Sequence, residues 1–283
     1  MGKIIITSDS TCDLSQDLIN NLDIRVIPLY VNIGDESFKD GVEISPEEVF
    51  KSYEENDVLA KTSAIPIYDF KVFFEDLLDQ GYEIIHFSIS SLLSSSHQNA
   101  VNAANMLDTD KISLIDSLNL STGIGLQVIR AAELAKQGLT RQEIVDDIAA
   151  YSHKVNSSFV IDSLNYLWKG GRCSAVSAFG ANLIKIKPCI EVTDGTMKVG
   201  KKYRGSLERS LKAYVDDRLK DIESIDPKRI FVTNTVEDKE ITNRIIEMIK
   251  DRNYFEEILT STAGCTISCH CGPNTLGIIY INK

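Results

Sequence analysis

Three short runs of apolar, largely β-branched residues, each stopping abruptly at a polar turn, constrain the fold of this chain more than any other feature. They are Lys3-Ile4-Ile5-Ile6-Thr7 before Ser8-Asp9-Ser10-Thr11, Glu83-Ile84-Ile85-His86-Phe87-Ser88-Ile89 before a serine-rich turn, and Lys111-Ile112-Ser113-Leu114-Ile115 before Asp116-Ser117. With helical patterns between them, the runs predict the parallel sheet of a doubly wound α/β fold. Ligands of such sheets sit at the carboxyl ends of the strands, so the polar turns face the expected site.

Helical periodicity runs from Gln127 to about His153, interrupted at Gly138-Leu139-Thr140, where Thr140 caps a second helix with Glu143 at its third position. We expect an N-terminal α/β domain over 1–153, and 283 residues are enough for a second domain over 154–283. In that second part Lys187 to Val199 reads as two strands around the Asp194-Gly195 turn. Helices are expected at Ser206 to Leu219 and Asp238 to Ile249, and strands at Arg229 to Val232 and Leu276 to Tyr280. Strands paired by a hairpin imply an α+β C-terminal domain.

A net charge of −11 excludes nucleic acid as a partner, because phosphate binding needs a concentrated basic face. An anionic ligand would have to be drawn in by local donors against the overall field. No run approaches the ~20 apolar residues of a spanning helix, so no stable membrane insertion is expected. The opening residues lead straight into a strand, which implies a cytoplasmic protein. Six cysteines are too few for a disulfide scaffold of this length and fit a reducing compartment.

Six serines crowd the turn from Ser88 to Ser96. Serines there cap a helix, and many hydroxyls beside a helix N-terminus also resemble an anion cradle. Thr62-Ser63 is a second hydroxyl pair, and His270 lies in what reads as a turn-rich loop, Ser268 to Asn274, before the last strand. Cys265, Cys269, His270 and Cys271 tempt a zinc reading, but there is no second cysteine pair and adjacent residues converge poorly on one tetrahedron, so no metal is expected. Gly195 to Lys202 matches the P-loop pattern except that Lys202 stands where a Ser or Thr should hold Mg²⁺, and a hairpin turn is the wrong context. Neither a G-x-S-x-G elbow nor an H-E-x-x-H motif occurs. A hydrolase using a serine of the 94–96 run with His97 or His270 as base remains an alternative, but no acid at recognisable spacing would orient either histidine.

Taken in order, these pieces resemble the DegV family: Asp9-Ser10-Thr11 with Asp13-Leu14; Thr62-Ser63; Ser90-Ser91-Leu92-Leu93-Ser94; Ile115-Asp116-Ser117; Gly170-Gly171-Arg172; Lys202-Tyr203-Arg204; and His270-Cys271-Gly272-Pro273. The resemblance implies a two-domain protein that binds one long-chain fatty acid between its domains, as a lipid-binding subunit without catalytic residues or a cofactor of its own. It further implies a separate kinase subunit that phosphorylates the bound carboxylate and so feeds phospholipid synthesis; a regulatory lipid sensor would share the pocket and differ in partner. By position, Thr62 and Ser94 correspond to carboxylate-binding hydroxyls, with Ser63 beside the first. His270 and Arg204 correspond to residues at the head-group end, and Arg172 to a basic residue near the same face. The sequence has Ser95 where the family has glycine, so either Ser94 or Ser95 holds the carboxylate.

An acyl tail of about fourteen buried CH₂ groups contributes on the order of 11 kcal/mol before association costs. Hydrogen bonds to the carboxylate, at ~1.5–3 kcal/mol each, add less and decide which end enters. Arg204, His270 and Arg172, read as cationic groups, would stabilise phosphoryl charge or dock the kinase.

Overall fold

The computed structural model describes residues 2–56, 58–173 and 186–283. Its first sheet is built from β1 (Lys3–Asp9), β2 (Arg25–Ile27), β6 (Tyr82–Ser88) and β7 (Ile112–Asp116), all parallel, in the order β2-β1-β6-β7. The strands are apolar on both faces because both faces are covered. Ile5 and Ile84 pack against Phe70, Phe74 and Leu77 of α3 (Ile67–Asp79) and against Ala100 and Ala103 of α4 (Ser96–Met106). The next residues in register, Ile6 and Ile85, point the other way, toward α5 (Thr122–Lys136) and α6 (Arg141–Ser152). Thr140 and Glu143 form the expected capping box at the start of α6.

Eleven of the fifteen residues of α5 are buried, which a helix lying on one sheet alone would not achieve. Its second cover is a separate six-stranded mixed sheet, ordered β10-β9-β8-β13-β11-β12. The strands are β8 (Val155–Val160), β9 (Ile186–Thr193), β10 (Thr196–Arg204), β11 (Ile225–Asn234), β12 (Glu257–Thr262) and β13 (Leu276–Asn282). Phe159, Phe231 and Ile279 share the core cluster of α5. The opposite face is covered by α8 (Leu207–Arg218) and α9 (Lys239–Lys250), with Tyr214 and Val215 at the centre. The turn between β9 and β10 has φ of 49° at Asp194 and 76° at Gly195, as the Asp-Gly pair predicts. The molecule is thus α/β, with a parallel four-stranded sheet and a separate mixed sheet.

Periodicity gives no warning of a third sheet, the antiparallel trio β4-β3-β5, made of β3 (Tyr30–Ile33), β4 (Glu36–Lys39) and β5 (Lys61–Ser63). Strands of three or four residues are too short to display alternation. This small sheet packs against α10 (Cys265–Cys271), beside α2 (Pro46–Asn56) and α7 (Asn165–Gly170). His270 therefore sits on a helix, where the sequence reads as a loop. The helix is short, and its N-cap Gly264 supplies no side-chain hydrogen bond, so the usual start signal is absent.

Candidate functional site

Strand β5 pairs with β3 so that Thr62 lies opposite Val31, and this pairing points the Thr62 hydroxyl at α10. There Oγ1 lies 2.9 Å from Nε2 of His270. The other ring nitrogen, Nδ1, is buried and has no hydrogen-bond partner among the described residues. Burial, reinforced by the nearby positive charge of Arg172, lowers the imidazole to a pKa of about 4. His270 is therefore neutral near pH 7, not the cation that the sequence reading assigns to it. Gly170 closes the far side of the ring, since a Cβ on it would stand 2.4 Å from Nδ1.

The serine turn links β6 to α4 and is fixed at both ends. The Ser90 hydroxyl donates to the carbonyl of Gly195, 2.8 Å away in the β9–β10 turn. Ser94 Oγ accepts from the backbone N–H of Ser96 at 3.2 Å and lies 3.0 Å from Ser96 Oγ, which in turn accepts from the backbone N–H of Ile65 at 3.4 Å. Ser94 is thus wired to the segment that follows Thr62. Ser95 is exposed, and although it occupies the N-cap position of α4 its side chain makes no capping bond. Sequence reasoning had no signal for Ser96 as the bridge, because three successive serines look equivalent until the chain is folded.

Thr62, Ser94 and His270 meet at a cavity of about 250 Å³. Thr62, Ser63, Ser94, Ser95, Arg172, His270 and Thr266, whose hydroxyl has no partner among the described residues, line it with polar groups, while Leu29, Ile89, Leu93, Leu120, Phe159 and Ile267 supply apolar walls. A smaller chamber of about 30 Å³ lies behind, sharing Leu120, Phe159, Ile267 and Cys271 as its near wall. Three of the hydroxyls around that chamber are engaged elsewhere: Thr235 donates to Gly272 O, Thr275 to Cys271 O, and Thr233 bonds Thr122, whereas the buried Ser157 Oγ has no partner among the described residues. A cluster of polar groups beside extensive apolar walls is what an amphipathic acid requires.

Two of the residues singled out from the sequence stand apart from the rest. Arg204 is the exposed last residue of β10, opposite Ile186, and is not among the cavity-lining residues. Arg172 does line the cavity, yet its guanidinium is exposed and donates to Gly170 O at 2.7 Å. The segment from Gly195 to Lys202 is hairpin turn and strand, with no helix N-terminus for a phosphate. Cys265, Cys269 and Cys271 are buried, and burial pushes their thiols well above the usual range; Cys265 Sγ donates to Ile44 O at 3.2 Å. Among the described residues no group of three or more metal-ligating side chains converges. No serine of the 94–96 run bonds a histidine among the described residues, so the arrangement lacks the nucleophile–base contact of a serine hydrolase.

Comparison with known proteins gives a consistent result. The sequence profile of the DegV family matches residues 3–283. A DegV domain-containing protein of Clostridium perfringens is 34% identical over all of both chains. Among solved structures, a fatty-acid-binding DegV family protein from Thermus thermophilus is 27% identical, with a TM-score of 0.89 over 99% of this chain and 100% of its own. A stearic-acid-binding protein from Eubacterium ventriosum is 25% identical, with a TM-score of 0.86 over 100% of this chain and 99% of its own.

Proposed function

Because the chain belongs to the DegV family, we propose that it binds one long-chain fatty acid between its two parts, residues 1–153 and 154–283, and presents the carboxylate to a separate ATP-dependent kinase subunit. The observation that carries this reading is the Thr62–His270 pair among the polar groups of a cavity that also has extensive apolar walls. In it, Thr62 and Ser94 donate to the carboxylate, Ser63 and Ser95 flank them, and the tail runs past Leu120 and Phe159. Thr62 can turn its proton from His270 to the ligand, and a neutral imidazole carrying its proton on Nε2 can do the same.

Neutral donors suit a carboxylate that must react. In the transfer a carboxylate oxygen attacks the γ-phosphorus of ATP, ADP leaves, and the acyl phosphate remains on this protein. A bidentate arginine clamp would hold the carboxylate more firmly than that turnover allows. The exposed cations Arg172 and Arg204 are assigned to the kinase-facing surface, where they favour docking or offset phosphoryl charge. The protein would work in the cytoplasm beside its kinase and catalyse nothing alone.

The test is mass spectrometry of lipid extracted from natively purified protein, followed by titration of the delipidated chain with palmitate. About one acid per chain is expected, and protein that neither carries nor takes up an acid refutes the reading. Adding the kinase subunit, ATP and Mg²⁺ then asks for acyl phosphate. Arg204→Ala should lower that rate while leaving palmitate affinity unchanged.

A further inference from the structure

We propose that Asp40 and Asp13 are positioning residues that act through α10, gripping its first turn so that His270 at its other end stays against Thr62. The inference deepens the fatty-acid reading and rests on it for its functional consequence. The helix has no side-chain cap of its own. Its opening amides are taken by carboxylates from far away in the chain: Gly264 N donates to Asp13 Oδ1 at 2.9 Å, Cys265 N to Asp40 Oδ1 at 2.9 Å, and Thr266 N to Asp40 Oδ2 at 3.2 Å. These are the orphan donors at a helix start, satisfied in trans by carboxyl oxygens, of which burial pushes the Asp13 carboxyl well above its usual range.

The two carboxylates are 6% and 3% exposed and, among the described residues, form no ion pair. Burying a carboxylate without a cation is costly unless its lone pairs are filled. They are filled: Asp13 Oδ2 accepts from Ser121 Oγ, and Asp40 Oδ2 accepts from Ser10 Oγ at 2.9 Å. The Asp13 carbonyl also accepts from Ser261 Oγ, just ahead of α10. The Asp9-Ser10-Thr11 and Asp13 pattern thereby gains a use that the ligand cavity does not give it. Asp9 shapes the turn by accepting from Thr11 N and Ile89 N, Ser10 steadies Asp40, and Asp13 takes Gly264.

The small sheet connects this grip to the site. Asp40 directly follows β4, Thr62 lies on β5, and both strands pair with β3. One three-stranded unit therefore contacts α10 at its start, through Asp40, and at its end, through Thr62. Seven residues span only about 10 Å, so a shift of the first turn reaches His270 undiminished. A Cβ on Gly264 would stand 2.9 Å from Asp13 Oδ1, so a side chain there would displace the carboxyl that takes its N–H.

The test compares Asp40→Ala, Asp40→Asn and Gly264→Ala with Leu211→Ala, a truncation in the distant α8 core that lowers stability without touching α10. Three readouts are needed: the melting temperature, the NMR signals of the His270 imidazole, and palmitate affinity. We expect Asp40→Ala to weaken palmitate about tenfold, the size of a lost charged cap, and to move the His270 signals toward those of a freely titrating histidine. Asp40→Asn keeps one acceptor and should lie between it and wild type, while Leu211→Ala leaves the imidazole unchanged. Wild-type His270 signals with affinity within about twofold in Asp40→Ala overturn the proposal. Equal movement of the imidazole in Leu211→Ala overturns it too. If Asp40→Ala does not fold, Gly264→Ala is judged by the same criteria. Should wild-type protein bind no palmitate, the fatty-acid reading fails, and the His270 signals alone decide the positioning role.

Discussion

The Thr62 hydroxyl meets Nε2 of His270 at 2.9 Å, although 208 residues of chain separate them. A strand of the small sheet supplies one partner and a buried helix the other, and among the described residues neither side chain has another hydrogen-bond partner. The ring is neutral, so whichever proton is shared between the two can be given to an arriving carboxylate.

Removing that hydroxyl should cost one hydrogen bond to a charged acceptor. Thr62→Ala is expected to weaken palmitate binding by about 1–3 kcal/mol with little loss of stability, as isothermal titration and thermal melting would register. An unchanged dissociation constant would place the carboxylate elsewhere in the cavity.

Ser94 and Ser95 should separate cleanly. Ser94 is tied to Ser96 and through it to Ile65, whereas Ser95 is exposed and makes no capping bond. Ser94→Ala should lower affinity by about 1–3 kcal/mol, and Ser95→Ala by less than about 0.5 kcal/mol. The reverse order would assign the carboxylate to Ser95.

Gly170→Ala tests the packing beneath the imidazole. The added methyl would sit 2.4 Å from Nδ1, so the ring must swing away from Thr62 or the α7 backbone must move. Weakened binding with an intact circular dichroism spectrum is expected. Full affinity would mean that the His270 orientation is irrelevant to the ligand.

Stability of the delipidated protein should carry a His270 signature in its pH dependence. The folded value, about 4, lies below the ordinary 6.5, so between these limits the unfolded chain binds the proton and the folded chain does not. The His270 contribution is therefore complete above pH 6.5 and is lost as the pH falls toward 4. His86, lowered to about 3 by burial, acts in the same direction, while Asp9, raised to about 6 by burial, acts in the opposite one. The measurement that isolates His270 is the stability difference between wild type and His270→Gln by urea denaturation at several pH values. That difference should shrink on acidification; a difference independent of pH would show that the ring titrates normally.

Phe159 stands between the two chambers, and its truncation should join them. Phe159→Ala is expected to destabilise the fold by about 3–5 kcal/mol. It should also shift the preference toward longer acids by roughly tenfold, the scale of one or two added methylenes. Competition between myristate and stearate gives the readout, and an unaltered ratio would mean that the tail does not reach this wall.

Where the chain's local pattern repeats over a full element, the fold was legible from residues alone. The isoleucine runs of β1 and β6, the capping box of Thr140 and Glu143 and the Asp194-Gly195 turn are all set by short-range sterics and by the period of the apolar residues. Thr62, Ser94 and His270 stand out in the sequence only as polar residues near turns, and the roles proposed for them rest on family resemblance, since a hydroxyl or an imidazole in isolation does not announce a ligand. Tertiary structure alone decided the rest. It put His270 on a helix without a local cap, joined Ser94 to Ser96, and left Arg204 on the surface. Burial, together with the charge of Arg172, made the imidazole neutral. Desolvation and long-range hydrogen bonding depend on which atoms surround a group after folding, and residues 208 apart in sequence carry no mark of becoming neighbours.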